Sequence, residues 1–162
     1  EHLVYTEGVG SSNLSLPTKI KYMKIALIAH DNKKADMVAF VSKRLDFFNM
    51  PDNEIVATGT TGGHVKHAGI KKVKRLNSGP MGGDAEIAAM VSNGDIDLVI
   101  FFRDPLGKHA HDVDISMLMR LCDVHNVPLA TNYRTASHLI KWYRVLEEKV
   151  DAVLVHKPGG PV

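Results

Sequence analysis

The sequence predicts an α/β fold, a single domain with a parallel-rich sheet of about five strands and helices on both faces. Two observations support this prediction. Short, almost continuously apolar runs alternate with longer stretches whose apolar residues recur every three or four positions, as expected when strands alternate with helices. Strands without polar alternation are typical of a sheet that is covered on both faces, which gives a Rossmann-like, three-layer arrangement. A length of 162 residues also suits one domain.

Each element follows from its local pattern. Strands are predicted from the apolar runs at residues 24–29, 54–57, 73–76, 98–102 and 127–131, and a last strand is expected at 152–155. Helices are predicted at 33–48, weakly after 63, around Ile87 as far as Gly94, around 115–122, and from 135 to about 146. The clearest helical stripe has the i, i+3, i+4, i+7 spacing of Ile115, Leu118, Met119 and Cys122.

The flanks and the composition limit the possible function classes. We expect a polar arm at residues 1–22, a domain at 23–156 and a flexible, Pro/Gly-rich tail at 157–162. A formal net charge of +2, with no basic run interleaved with aromatic residues, argues against nucleic acid as a partner. No signal-peptide core and no apolar stretch of ~18 residues is found, so we expect a cytoplasmic protein without membrane contact. Cys122, the lone cysteine, is expected to be a buried, inert thiol.

Polar clusters follow the first four predicted strands. They are His30 with Asp31, the run 58–63, the run 78–84, and Arg103 with Asp104. Ligands of parallel α/β sheets bind at the carboxyl ends of the strands. We therefore expect the four clusters to meet at one edge of the sheet and to form a site together.

The segment SGPMGGD (78–84) combines exposed backbone N–H groups with one carboxylate. Anions bind such N–H groups, so the segment predicts a phosphate cradle beside a potential base, Asp84. The alternative is an ordinary glycine-rich turn in which Asp84 caps the following helix.

Two further segments point to a phosphate. TGTTGG (58–63) lacks the Gly-Lys-Ser/Thr ending of a P-loop and the spacing of a dinucleotide fingerprint, so it suits a small phosphate monoester better than a nucleotide. The alternative is a turn with a threonine N-cap. Lys33 and Lys34 are close enough to the first strand to reach a bound phosphate, although solvated lysines and a structural, hydrogen-bonded His30 would give the same pattern.

The loop at 104–114 contains His109, His111 and three carboxylates. No pair has the i, i+4 spacing of a helical zinc site and no cysteine assists, so no metal is expected. We expect instead a histidine that acts as acid, base or electrophile and is oriented by carboxylates. The alternative is an exposed polar loop in which Asp112 or Asp114 caps the following helix.

Together these segments resemble methylglyoxal synthase. The resemblance runs from about residue 23 to 140, with all motifs in order. They are AHD (29–31) with Lys34, ATGTTG (57–62), SGPMGGD (78–84), IFFRDPL (100–106), HD (111–112) with Asp114, and VPLATN (127–132). SGPMGGD and FFRDPL are the most specific of these strings, and the combination is far more specific than any single one.

The resemblance implies a lyase that needs no metal or other cofactor and converts dihydroxyacetone phosphate to methylglyoxal and inorganic phosphate. It also implies a cytosolic homohexamer that inorganic phosphate inhibits. By position, Asp84 matches the catalytic base and His111 the histidine that polarises the substrate oxygens, with Asp104 and Asp114 as further acidic residues of the active site. The matching substrate and phosphate contacts are His30, Asp31, Lys34, Thr58, Gly59, Thr60, Thr61, Ser78 and Gly79.

The sequence departs from the family pattern at several positions. Ala110 and Val113 stand where the family commonly has prolines, so a looser loop is expected. The match fades after about Asn132, so the resemblance does not extend to phosphate regulation through the C-terminal region.

Two rival functions are compatible with the same loops. A non-catalytic, phosphate-binding regulatory module of this fold would not need the base and the histidine. The joint retention of Asp84, His111, Asp104 and Asp114 favours an enzyme. A phosphosugar isomerase would return a proton to the enediolate instead of expelling phosphate.

Overall fold

The sheet is fully parallel, as predicted. The computed structural model describes residues 22–155, and their side chains up to Lys149. Its five strands have the order β3-β2-β1-β4-β5. They are β1 (Met23–Ala29), β2 (Asn53–Ala57), β3 (Val73–Arg75), β4 (Leu98–Phe102) and β5 (Leu129–Ala130). The predicted α/β class is therefore confirmed.

β1 is the central strand, and the strand order reverses beside it. Leu27 lies opposite Ala57 in β2 on one side and Ile100 in β4 on the other. The chain moves outward from β1 to β3 and then starts the second half of the sheet with β4. The boundary between β1 and β4 is the topological switch point at which doubly wound sheets bind their ligands.

Helices cover both faces of the sheet. They are α1 (Lys34–Ser42), α2 (Leu45–Phe48), α3 (Gly59–His67), α4 (Gly83–Ser92), α5 (Asp112–Val124) and α6 (Tyr133–Val155). One apolar cluster packs α1, α2, α3 and α6 on one face, with Phe40 and Ile140 among its buried residues. The other cluster packs α4 and α5 on the opposite face, with Ile87 and Leu118 among its residues. The two clusters take alternate residues of β1, which explains why that strand has no polar side.

Two element predictions are wrong. Residues 152–155 form the last turns of α6 and not a strand. Their short apolar run cannot distinguish a strand from a helix by periodicity, and here it continues the helix that begins at Tyr133. The helix predicted at 33–48 is divided into α1 and α2, because Arg44 leaves the helical conformation (φ −138°, ψ 27°).

Three further expectations concern the chain ends, Cys122 and membrane-spanning helices. The arm predicted at 1–22 lies outside the described residues except for Tyr22, as does the tail at 157–162, so the domain limits stay predictions. Cys122 is buried, and burial raises the pKa of its thiol to about 11. Within residues 22–155, no helix has both the length and the apolar character that crossing a bilayer requires.

Two glycines let the chain turn from β3 into α4. Gly82 has a φ of +97°, a left-handed conformation that favours glycine. A Cβ on Gly83 would lie 2.1 Å from the carbonyl oxygen of Asn77, which is backbone and cannot move aside. The first turn of α4 therefore packs directly against the preceding segment, and this contact fixes the position of Asp84.

We predict that Gly83→Ala destabilises the protein by about 3 kcal/mol or more, because the added methyl group overlaps backbone atoms. Gly63→Ala is the matched control, since a Cβ there meets only the flexible Arg75 side chain at 3.5 Å. Alanine within helix α3 should be neutral or stabilising by up to about 1 kcal/mol. Urea unfolding midpoints measure both effects, and equal midpoints for the two variants would contradict the proposed packing.

Candidate active site

The four polar clusters lie together at the carboxyl edge of the sheet. The N–H of His30, after β1, donates to the carbonyl of Phe102 at the end of β4 (3.1 Å). The N–H of Gly59, after β2, donates to the carbonyl of Asn77, after β3 (2.9 Å). Backbone hydrogen bonds therefore join neighbouring clusters in pairs and hold the loops in a fixed arrangement.

The threonine segment starts helix α3 beneath this edge. Thr58 occupies the N-cap position in an extended conformation, but its side chain does not bond to the helix N–H groups. Its hydroxyl donates to Oγ1 of Thr61 (3.2 Å), which accepts the N–H of Ala29 (3.2 Å). Thr58 therefore occupies the predicted N-cap position, but its hydroxyl does not make the predicted capping hydrogen bond. Buried Thr61 joins α3 to β1, and the helix N-terminus opens toward the site, where it favours an anion.

Asp84 is delivered to the site by the glycine-rich segment. A short 3₁₀ turn at Gly79–Met81 precedes α4, and Asp84 is the second residue of that helix. Its side chain is 0% exposed and makes no capping hydrogen bond, so the helix-cap alternative is wrong. A Cβ on Gly79 would lie 3.2 Å from Oδ2 of Asp84 and 3.0 Å from Nε2 of His111. Gly79 therefore packs closely against these two groups, and a side chain at this position would press on both.

The carboxylate of Asp84 is buried without a hydrogen bond in the described part of the chain. Its Oδ2 lies 3.2 Å from Nε2 of His111, but the two atoms are not aligned as a hydrogen bond. Burial raises the pKa of Asp84, and the nearby Asp114 raises it further, whereas His111 and His109 oppose the shift. Poor solvation makes this carboxylate a stronger base than an aspartate in water.

His111 stands at the N-cap of α5 and faces Asp84. Its backbone (φ −106°, ψ 27°) begins the helix, and no side chain caps the helix N-terminus. The predicted capping by Asp112 or Asp114 is therefore wrong. Asp112 is exposed in the first helical turn, whereas the charge of Asp114 acts on Asp84.

His30 is held neutral with a defined tautomer. Its Nδ1 accepts the backbone N–H of Asp104 (2.8 Å), so a neutral ring carries its proton on Nε2. The pKa of His30 is lowered from 6.5 to about 4, mainly by burial and also by the neighbouring His109 and His111. Nε2 is buried and has no partner among the described residues, so this N–H is free to bind a ligand. His30 is therefore the structural, hydrogen-bonded histidine that the alternative interpretation expected, and it still has one ring N–H without a described partner.

The other acidic residues differ in environment. Asp104 accepts hydrogen bonds from the side chain of Asn32 (2.8 Å) and from the N–H of Leu106 (3.0 Å). The bond from Asn32 is the main reason why the pKa of Asp104 is lowered. Asp31 is exposed and pairs with Lys34, and this hydrogen bond lowers its pKa. Asp104 braces the loop after β4, and Lys34 has a counterion that a bound phosphate could replace.

The sequence interpretation missed two residues of this region. Asn32 holds Asp104, and His109 stacks on His30 with ring centroids 3.7 Å apart. The sequence places His109 only in a polar loop, and Asn32 gives no signal beyond its place next to the His30–Asp31 cluster. Among the described residues, no group of three His, Cys, Asp or Glu side chains is arranged to hold a metal ion.

Comparisons with known proteins identify the family. The family model of the MGS-like domain matches residues 36–131. The methylglyoxal synthase of Geobacillus sp. strain WCH70 is 56% identical over 119 residues, which cover 74% of this chain and 84% of the relative. The chain belongs to the methylglyoxal synthase family.

Further methylglyoxal synthases extend the match. The protein of Oceanobacillus iheyensis is 44% identical over 147 residues, which cover 86% of this chain and 100% of that relative. The crystal structure of methylglyoxal synthase from Elizabethkingia anophelis NUHP1 has a TM-score of 0.67 and 40% identity, with 77% of this chain and 79% of that chain covered. The fold implied by the resemblance is therefore confirmed.

We predict that Gly79→Ala lowers kcat/KM for dihydroxyacetone phosphate, the substrate that the resemblance implies, by about 100-fold or more. The methyl group would press on the Asp84 carboxylate and the His111 ring and displace the two groups that the reaction is expected to use. Met81→Ala is the control, because Met81 is in the same turn and 75% exposed. Both variants should fold, with circular dichroism spectra like that of the wild type. Normal activity of a folded Gly79→Ala protein would show that the close approach of Gly79 to Asp84 and His111 is not required for the reaction.

Proposed function

We propose that this protein converts dihydroxyacetone phosphate to methylglyoxal and inorganic phosphate, with Asp84 as the base. The observation that carries the proposal is the fully buried carboxylate of Asp84, which has no described hydrogen bond and lies 3.2 Å from Nε2 of His111, with Gly79 packed against both. A buried, unpaired charge destabilises a fold, so its presence at the ligand-binding edge of the sheet favours a catalytic role.

The first step is removal of a proton. Asp84 takes it from the hydroxymethyl carbon next to the ketone, and the C–H electron pair becomes the double bond of an enediolate. The raised pKa that burial gives Asp84 makes this transfer easier than it would be for a solvated aspartate. The negative charge then lies on the former carbonyl oxygen.

Two imidazoles, those of His111 and His30, are available to stabilise that oxygen. In our proposal, His111 donates through the nitrogen that now lies beside Asp84, since substrate would enter between them. His30 offers an Nε2–H whose tautomer is fixed by the backbone of Asp104. A neutral imidazole acting as electrophile has a precedent in triosephosphate isomerase, whose substrate carbonyl is polarised in this way.

The second step expels phosphate. The hydroxyl of the enediolate loses its proton as its C–O bond becomes a carbonyl, the double bond moves toward the CH₂ carbon, and the bridging oxygen leaves with the C–O electron pair. The departing phosphate takes up the proton that the hydroxyl loses. Asp84 gives up its proton as the CH₂ carbon of the resulting enolate is protonated, which gives methylglyoxal and restores the base. This elimination requires the bridging C–O bond to stand out of the enediolate plane, aligned with its π electrons.

The phosphate group would lie between the starts of two helices. The N-terminus of α3 at Thr60 and Thr61 and the backbone at Ser78 and Gly79 offer N–H groups. Lys34 adds a positive charge, with Asp31 as its partner when no phosphate is bound. Holding the phosphate here favours its departure, whereas an isomerase must retain the C–O bond.

The assay that tests the function incubates the protein with dihydroxyacetone phosphate and measures methylglyoxal and free phosphate. Equal amounts of both are expected. Absence of any product would indicate a phosphate-binding module, and glyceraldehyde phosphate without free phosphate would indicate an isomerase.

Assembly and regulation complete the proposal. Met81, Leu106 and Val113, in three segments at the site edge, are 75%, 94% and 81% exposed, which supports burial of this edge against another copy. We propose a homo-oligomer, a hexamer by family resemblance, and light scattering measures its subunit number.

Inhibition by inorganic phosphate and a cytoplasmic location rest on the resemblance, and inhibition kinetics and cell fractionation test them.

We predict that Asp84→Asn lowers kcat by about 1000-fold or more, because the amide cannot accept the proton. Binding of inorganic phosphate, measured by calorimetry, should remain close to that of the wild type. The variant should also melt about 2–6 °C higher at pH 7.5, since a buried and unpaired charge has been removed.

The matched control is Asp123→Asn on the exposed side of α5, which should change neither property. Full turnover by Asp84→Asn would overturn the assignment of the base. A melting temperature of this variant below that of the wild type would show that the carboxylate stabilises the fold.

We predict that Asp114→Asn moves the acid limb of kcat/KM to lower pH. Activity requires ionised Asp84, so it falls as the pH drops through the raised pKa of that group. Asp114 contributes to that raised pKa, and its neutralisation lets Asp84 stay ionised in more acidic solution. Asp112→Asn, at an exposed position of the same helical turn, should leave the profile unchanged. A limb that stays in place or moves to higher pH in Asp114→Asn contradicts this coupling.

A further inference from the structure

The mechanism leaves one half-buried histidine of the site without a role. The ring of His109 lies on that of His30, with centroids 3.7 Å apart and an interplanar angle of 24°, and its centroid is 5.8 Å from that of His111. Its Nε2 is buried and has no hydrogen-bond partner among the described residues. An aromatic side chain stacked on a proposed substrate-binding ring can control that ring's position and solvation.

His109 connects the loop after β4 to the body of the site. Leu106 and Ala110, on either side of it, are exposed, whereas the ring of His109 turns inward onto His30. Its carbonyl accepts the N–H of Asp112 in the first turn of α5 (3.2 Å). The residue is thus attached to His30 through its ring and to the helix that starts at His111 through its backbone.

We propose that His109 is a positioning residue for the reaction, whose stacked ring keeps His30 neutral and fixed with its Nε2–H available to the substrate. This inference rests on the proposed function, because it assigns His109 a role through a residue that binds substrate there. His109 does not need to contact the reacting atoms.

The surroundings of His30 support this role. One face of its ring is covered by His109, and Phe101 makes an edge contact at 5.0 Å. His109, His111 and Arg103 oppose a positive ring, whereas Asp104 and the exposed Asp31 favour one. Burial is the largest cause of its lowered pKa. Removing the stacked ring would admit water to one face and remove one of the opposing groups.

Protonation of His30 would disrupt the site in two ways. A proton on Nδ1 would face the N–H of Asp104, which now donates to that atom, so the hydrogen bond between them would be lost. The loop held by Asp104 would then separate from the end of β1. The stack with His109 therefore protects a hydrogen bond that the loop requires.

The test compares His109→Phe, which keeps a stacked ring but no ring nitrogen, with His109→Ala, which removes the stack. His138→Ala, at an exposed position of α6, is the control. Titration of the His30 ring is followed by NMR of ¹³C-labelled histidine, with His30→Asn used to assign the signal. kcat and KM for dihydroxyacetone phosphate are measured at pH 7.5 and across the acid range.

In the wild type and in His138→Ala, we expect the His30 signal to titrate near pH 4, following its lowered pKa. In His109→Ala the pKa of His30 should move toward 6.5, with kcat/KM lower by about tenfold and its acid limb at higher pH. His109→Phe should retain most of the lowered pKa and lose less than about threefold in kcat/KM.

Unchanged His30 titration in folded His109→Ala would overturn the proposal. Equal losses of activity in the Phe and Ala variants, with His30 titrating as in the wild type, would also overturn it, because the ring nitrogen of His109 would then be the required group. If the wild type forms no methylglyoxal, the proposed function fails, whereas the NMR comparison still reports on the stack.

Discussion

The parallel pairing of β1 with both β2 and β4 is the constraint on which the site depends. It places the carboxyl ends of these strands at one edge and leaves a crevice where the strand order reverses. The hydrogen bond from the N–H of His30 to Phe102 extends this pairing one residue beyond the strands. The two helical layers bury both faces of β1, so their apolar packing holds the edge rigid while the loops carry the chemistry.

Asp84 shows how stability and reactivity conflict in this fold. The carboxylate is fully buried and lacks a described hydrogen bond, which costs folding free energy at neutral pH. The tight contact of Gly83 with Asn77 holds the start of α4 in place and prevents the side chain from moving out to solvent. The same poor solvation that destabilises the ion makes it a more effective base.

Much of the fold and part of the site could be predicted from the sequence. The apolar strands were evident because burial on both faces removes polar alternation. Because ligands of parallel α/β sheets bind at the carboxyl ends of the strands, His30, Asp84 and Asp104 could be expected at one edge. The end of α6 could not be predicted, since four apolar residues fit both a strand and a helix. The bonding of Thr58 and the contacts of Asn32 and His109 also escaped prediction, because they depend on how loops that are distant in sequence pack together.

The acceptor role of His30 has a consequence for how this protein can vary. Its tautomer is set by a main-chain N–H, which every residue type except proline supplies at position 104. Substitutions of the Asp104 side chain can therefore alter charge and loop bracing while the imidazole keeps its proton on the same nitrogen. Which ring nitrogen of His30 carries the proton therefore depends on the backbone path between β4 and its loop. Most single-residue substitutions leave that path unchanged.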